Sequence, residues 1–275
     1  MARDERSKAQ AGPADSAVDI EFDGDFRRLA LKRLRAMAAA GEEARECARV
    51  LAKTGDNPVH ELLRGGGRAI AWRHYPKDDV YDPATGSQFY YHAHPVSGGG
   101  AAVGHVHAFM RPIGMKPSCR PAPLPDFVPP KDRNDALSHL IAISLDRRGM
   151  PDMLFTTNRW VTGETWYRAC DIVAMLDGFE IDLARPSWPA NRWITAMLRL
   201  FWPQIAVLVV ERDAAMARWR RRHPKRNAYE DRELEVVTRL AISVDAQTAK
   251  IRRALARRIS TRTIATPARG RRRTI

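Results

Sequence analysis

Cysteine is nearly absent: Cys47, Cys119 and Cys170 are odd in number, far apart and include no CxxC pair. A disulfide framework and a thiolate zinc site are therefore excluded, and a reduced, cytoplasmic setting is expected. Long apolar runs are missing too. The longest, Trp193 to Val210, is interrupted by Arg199, Pro203 and Gln204 and runs directly into Glu211-Arg212-Asp213. Arginine near the middle of a spanning helix costs roughly 2.5–3.5 kcal/mol, so the run reads as buried core and no membrane span is expected. No apolar stretch follows the polar start Met1-Ala-Arg-Asp-Glu-Arg-Ser-Lys8, which argues against a secretory signal. Nor does the chain carry GxSxG, a Walker loop or HExxH, so three common catalytic constellations are absent. Gly65-Gly66-Gly67 lacks the strand, helix and lysine of a phosphate cradle and reads as a helix cap and turn.

What is present is a chain of 275 residues, 44% apolar and 28% charged, enough for one generous domain or two small ones. Its net charge of +14 is unevenly spread. The stretch from Glu211 to the C-terminus carries 19 basic and 7 acidic residues, whereas the first 210 residues carry 27 and 25. A basic C-terminal helix and tail, including Arg218 to Arg226 and Arg252 to Arg273, could contact nucleic acid or an acidic partner. However, arginine outnumbers lysine 38 to 8, which marks a compositional bias, and no helix-turn-helix, finger or RNP-like motif accompanies the charge.

Periodicity divides the chain into helical ends and a strand-rich middle. Residues 1–24 read as a loose tail, 25–260 as a single α+β domain and 261–275 as a disordered basic tail. Apolar steps of three and four predict helix from Asp25 to Lys53, split near Gly41, and again over Pro58–Leu63. Strands are predicted at Ile70–Tyr75, Gln88–His94, Gly104–Met110, Ser138–Leu145 and Met153–Val161, giving a small antiparallel sheet of hairpins packed against N- and C-terminal helices. Pro112–Pro130 holds seven prolines and is read as a connector. Helices are predicted over Asp171–Asp177, Pro189–Trp202, Pro203–Arg222 and Tyr229–Ile259.

The chemistry-bearing feature is a histidine-rich hairpin at 86–111. Four of the eight histidines fall in Tyr91-His92-Ala93-His94-Pro95 and Gly104-His105-Val106-His107-Ala108. Residues two apart in a strand share a face, so His92 and His94 point one way, as do His105 and His107. Setting His94 opposite His105 and His92 opposite His107 gathers four imidazoles in one patch. Phe89, Tyr91, Ala93, Val106, Ala108 and Met110 then form the opposite, apolar face. Neutral imidazole ligates zinc, iron, copper, manganese or nickel, so a divalent transition metal is the expected cofactor. The plainer alternative is a solvated polar face; two HxH pairs on facing strands weigh against it.

His74 is a further candidate ligand, and Glu164 or Tyr90 could serve as proton partner in metal-dependent chemistry on a small molecule. Glu164, beside Gly163, also reads as a turn residue. His139 starts a strand with Ile141 and Ile143 and reads as a satisfied core histidine; His60 and His223 sit at helix margins.

Two resemblances follow from these residues. The HxH motif resembles part of the first motif of cupins, small barrels that bind metal through histidines and a glutamate, although Pro95-Val-Ser-Gly-Gly-Gly stands where that glutamate would follow. The strings His74-Tyr-Pro, Thr85-Gly-Ser-Gln-Phe-Tyr-Tyr-His-Ala-His-Pro, Gly104-His-Val-His-Ala-Phe and Glu211-Arg-Asp-Ala-Ala look like an uncharacterised bacterial domain-of-unknown-function family over roughly residues 25–255. That resemblance implies a bacterial origin and supplies no activity.

Overall fold

Alternation of apolar and polar residues along two neighbouring strands sets the centre of the molecule, because each strand must bury one face. The computed structural model describes residues 16–64, 70, 73–94 and 103–264. Its strands are β1 (Val18–Asp19), β2 (His74–Tyr81), β3 (Ser87–His94), β4 (Val103–Met110), β5 (Ser138–Leu145), β6 (Pro151–Thr157) and β7 (Val236–Ala241). Its helices are α1 (Leu31–Ala52), α2 (Pro58–Leu63), α3 (Arg159–Thr162), α4 (Ala169–Leu176), α5 (Trp188–Leu200), α6 (Trp202–Arg222) and α7 (Val244–Ile264). The strands form one sheet in the order β1-β7-β6-β5-β4-β3-β2. Neighbours are antiparallel except β1, which pairs parallel to β7. This is the expected α+β class, with a larger sheet than the hairpins alone implied.

One face of the sheet is packed under helices. Phe89, Tyr91 and Ala93 of β3, Val106, Ala108 and Met110 of β4, and Ile141 and Ile143 of β5 join Leu34 and Met37 of α1 in a single apolar cluster. The same cluster takes in Ile172 of α4, Trp193 of α5, Leu208 of α6 and Ile251 of α7. Each fully buried side chain of this kind stabilises by about 1.5–3 kcal/mol. Gly41 does not split α1. It lies where α1 meets α7, and a Cβ there would come within 2.6 Å of Thr248 Oγ1, so glycine serves close helix approach. The run Trp193–Val210 is buried core for most of its length, with Val210 exposed at its end, and is divided between α5 and α6, which meet at 69°. No single described helix is long and apolar enough to cross a membrane.

Further expectations need correction, and the strand expected over Ile70–Tyr75 is found at His74–Tyr81. The predicted helix Tyr229–Ile259 is instead a turn, then β7, then α7. Val236 and Thr238 are β-branched and pair with β6, with the equally β-branched Val237 as an extra residue between them. The strand predicted to run to Val161 ends at Thr157, and Asn158 opens α3. The β3–β4 register is slipped by two residues: His92 faces His105, Tyr90 faces His107 and His94 faces Val103. This register pairs all eight residues of each strand and stops one short of Pro95, which has no N–H to donate. A slip of two leaves every side chain on its expected face. Gly104 fits it closely, since a Cβ there would lie 2.3 Å from the His92 carbonyl oxygen and 2.4 Å from the Tyr91 hydroxyl. Gly65–Gly67 and the basic tail beyond residue 264 lie outside the described residues.

Candidate metal centre

The other face of the sheet is largely free of helices and carries the histidines. His92, His94, His105 and His107 all line one cavity of about 450 Å³, with His74 and Tyr90 at one side. The ligand atoms of His92, His94 and His105 lie within 4.8 Å of one another. His92 Nε2 and His94 Nε2 are 3.2 Å apart. Two nitrogens each about 2.0–2.1 Å from a tetrahedral ion would stand roughly 3.3 Å apart, so this spacing needs little adjustment. The His107 ring is 4.9 Å from that of His92 and 5.9 Å from that of His105.

Burial sets the protonation state. Desolvation, with the neighbouring imidazoles adding to it, lowers His92 to about 4 and His105 to about 3. It also lowers His94, against an opposing pull from the nearby Glu235 carboxylate, and pushes His107 well below the ordinary histidine value. The rings are thus neutral at pH 7, the form in which imidazole offers a lone pair. His105 Nδ1 and His107 Nε2 are buried without a hydrogen-bond partner. Leaving such a group unpaired costs about 1–3 kcal/mol, and a metal ligated at this face is one way to recover it.

His139 is buried with both ring nitrogens partnered, as expected, but on the other face of the sheet. Ala108 pairs with Ile141 but Phe109 pairs with His139, so Leu140 is an extra residue on β5. That bulge turns His139 off the face of Ile141 and Ile143 and onto the histidine face. Its Nε2 lies 3.1 Å from His107 Nδ1, and its Nδ1 lies 3.3 Å from Thr157 Oγ1. If Nδ1–H of His107 donates to His139 and His139 in turn donates to Thr157, then His107 Nε2 presents a lone pair. Burial, with the Arg212 charge adding to it, lowers His139 to about 3.

Glu164 stands behind this pair. Its Oε2 accepts the His139 backbone N–H at 2.7 Å, and its Oε1 is buried without a partner. Burial raises its carboxyl to about 7, with Arg212 pulling the other way. Glu164 is not one of the residues that line the cavity, whereas Tyr90 is. The Tyr90 ring stacks on His74 with centroids 3.7 Å apart, and burial, with Asp79 and Glu164 contributing, raises its hydroxyl above the ordinary tyrosine value. His74 Nδ1 is 3.0 Å from Asp79 Oδ1, so a carboxylate orients that ring. The His74 ring lies 6.2 Å from that of His92.

The remaining wall comes from parts of the chain that carry no motif: Met153, Phe155 and Thr157 of β6, Trp160 of α3, and Arg232, Glu235 and Arg239 at β7. The basic C-terminal region is partly consumed by ion pairs. Arg226 pairs with Asp231 and Glu233, Arg239 with Asp19, Arg252 with Glu42, and the buried Arg212 with Asp213.

Fold and site together define an α+β protein with a histidine-lined cavity on the open face of a mixed seven-stranded sheet. The chain belongs to the DUF6969 family, described as a domain of unknown function, whose model matches residues 38–242. All eight histidines of the chain fall inside that span. No curated protein and no solved structure matches the chain.

Proposed function

We propose that this protein binds a divalent transition metal through His92, His94 and His105, with His107 as the fourth candidate ligand, and uses it for chemistry on a small molecule in the cavity. One observation carries the reading: three neutral imidazoles from two paired strands bring their ligand atoms within 4.8 Å of one another at the floor of an open cavity. An all-imidazole donor set favours zinc, copper, iron or nickel over magnesium or calcium. A metal so held, with a position open to the cavity, would polarise a substrate oxygen or lower the pKa of a bound water. Tyr90, protonated at neutral pH, would donate a hydrogen bond to a group bound over the histidines. Glu164 would act at one remove, holding the His139 backbone and through it the His107 ring. His74, oriented by Asp79, remains a further candidate ligand at the cavity edge. Three free cysteines, one of them exposed, suit a reducing cytoplasm.

Metal analysis of untagged protein, as purified and after reconstitution with Zn(II), Fe(II), Ni(II) or Cu(II), tests this directly. Near-stoichiometric metal is expected, lost on combining His94→Ala with His105→Ala. A wild-type protein that holds no metal after reconstitution sinks the proposal.

A further inference from the structure

We propose that the cavity is a binding site for a small organic acid, whose carboxylate pairs with Arg232 at the mouth and whose apolar body lies on Phe155 and Trp160 above the histidines. The inference deepens the metal reading by naming a substrate class, but it stands on different residues.

Arg232 is exposed, lines the cavity and forms no ion pair among the described residues. Its guanidinium is nevertheless held in place, 4.3 Å from the centroid of the Trp160 ring. Trp160 is fixed in turn by its indole N–H, which donates to the Leu234 carbonyl at 3.0 Å. Asn158, fully buried at the start of α3, ties that helix to the Ala228 carbonyl at 2.8 Å. A stacked guanidinium on a rigid platform keeps its edge N–H groups free for a bidentate carboxylate. Every other arginine on this wall is engaged: Arg239 is held by Asp19 at 2.7 Å and adds positive charge without a free fork.

Charge and size agree with that ligand. Two arginines and one glutamate line the cavity, so its fixed side-chain charges sum to a net positive value before any metal binds. Met153, Phe155, Trp160 and Val161 supply apolar surface between the mouth and the floor. A volume of about 450 Å³ is small for a ligand site. At roughly 30 Å³ per water-sized group it holds about fifteen non-hydrogen atoms. That admits a substituted aryl or alkyl acid and excludes a nucleotide.

The test is calorimetric titration of full-length protein, with and without one equivalent of Zn(II), using matched acid and amide pairs: 3-phenylpropionate with 3-phenylpropanamide, and hexanoate with hexanamide. At least one acid should bind about tenfold or more tightly than its amide. Arg232→Gln should remove that preference, and Arg232→Lys should keep part of it. Because Arg232 is exposed, these variants are expected to unfold at the wild-type temperature, which a thermal melt confirms. No acid preference in either pair overturns the inference. A preference that survives Arg232→Gln and requires Zn(II) also overturns it, because the carboxylate is then on the ion, and the metal reading stands. An Arg232-dependent preference in a protein that binds no Zn(II) supports the acid site and removes the metal reading.

Discussion

The two faces of β3 and β4 are built from alternate residues of the same strands yet solve opposite problems. Phe89, Tyr91, Ala93, Val106, Ala108 and Met110 face the helices and are all buried in one apolar cluster. Tyr90, His92, His94, His105 and His107 face the cavity, where His105 Nδ1 and His107 Nε2 are buried without partners among the described residues. The first face stabilises the fold by close packing, which is intolerant of voids. The second keeps polar groups out of water at a cost, a cost natural proteins retain mainly at functional sites. The contrast predicts that stability resides on one face and ligand affinity on the other.

Acidification of the metal-free protein should have the largest effect on that division. His92, His105 and His139 remain neutral in the folded chain down to about 4, 3 and 3, whereas in the unfolded chain they take up protons near 6.5. The unfolded state therefore binds more protons between those values, so stability is complete above about 6.5 and is lost as the pH falls. His105 and His139 should each cost on the order of 1–2 kcal/mol by pH 5. Urea midpoints across pH 5–8 measure this, and a flat profile would count against buried neutral rings.

Substitutions sharpen the comparison residue by residue. Phe89→Ala, on the packed face, should lower unfolding free energy by about 3–5 kcal/mol while leaving Zn(II) affinity of the folded protein little changed. His139→Leu should cost about 1–3 kcal/mol, because His107 loses the only side-chain hydrogen bond it makes among the described residues, and should weaken Zn(II) binding by about 10–100-fold. His94→Ala, partly exposed at the cavity floor, should shift metal-free stability by less than about 1 kcal/mol while removing most Zn(II) binding. Equal losses of stability for Phe89→Ala and His94→Ala would break the proposed division.

An effect of opposite sign comes from Glu164. Its carboxyl is raised to about 7 in the folded chain from an ordinary 4.5, so the folded state binds the extra proton and stability falls as pH rises through that window. This opposes the histidines by a single proton. Glu164→Gln should make the acid loss steeper by about as much as one buried histidine contributes, visible in the same urea series.

Much of this arrangement was legible in the sequence. The period of two in the HxH pairs put four imidazoles on one face and six apolar residues on the other, because strand geometry fixes that alternation whatever the register. The register itself was not legible; it turned on how far the ladder could extend before Pro95. His139 is the satisfied, buried histidine that was expected, but its face was misread because a bulge at Leu140 changes the face of every residue beyond it, and no local pattern announces a bulge. A similar irregularity hid β7. Thr156 pairs with Thr238 but Thr157 pairs with Val236, which leaves Val237 as an extra residue. The buried Leu234, Val237 and Leu240 then recur at steps of three, as they would in a helix. Arg232, Glu235 and Trp160 carry no motif and reach the cavity only through sheet order, with β7 brought beside β6.

Residue alternation, turn chemistry and composition determined the class of fold, the hairpin and which side of it bears histidines, since these depend on backbone geometry that each strand possesses alone. Tertiary structure decided which imidazoles meet, that His107 is backed by His139, and that Arg232, with no ion pair among the described residues, lines the same cavity. Those outcomes depend on ladder length, two bulges and the meeting of segments more than a hundred residues apart, and such long-range pairings leave no periodic trace in the chain.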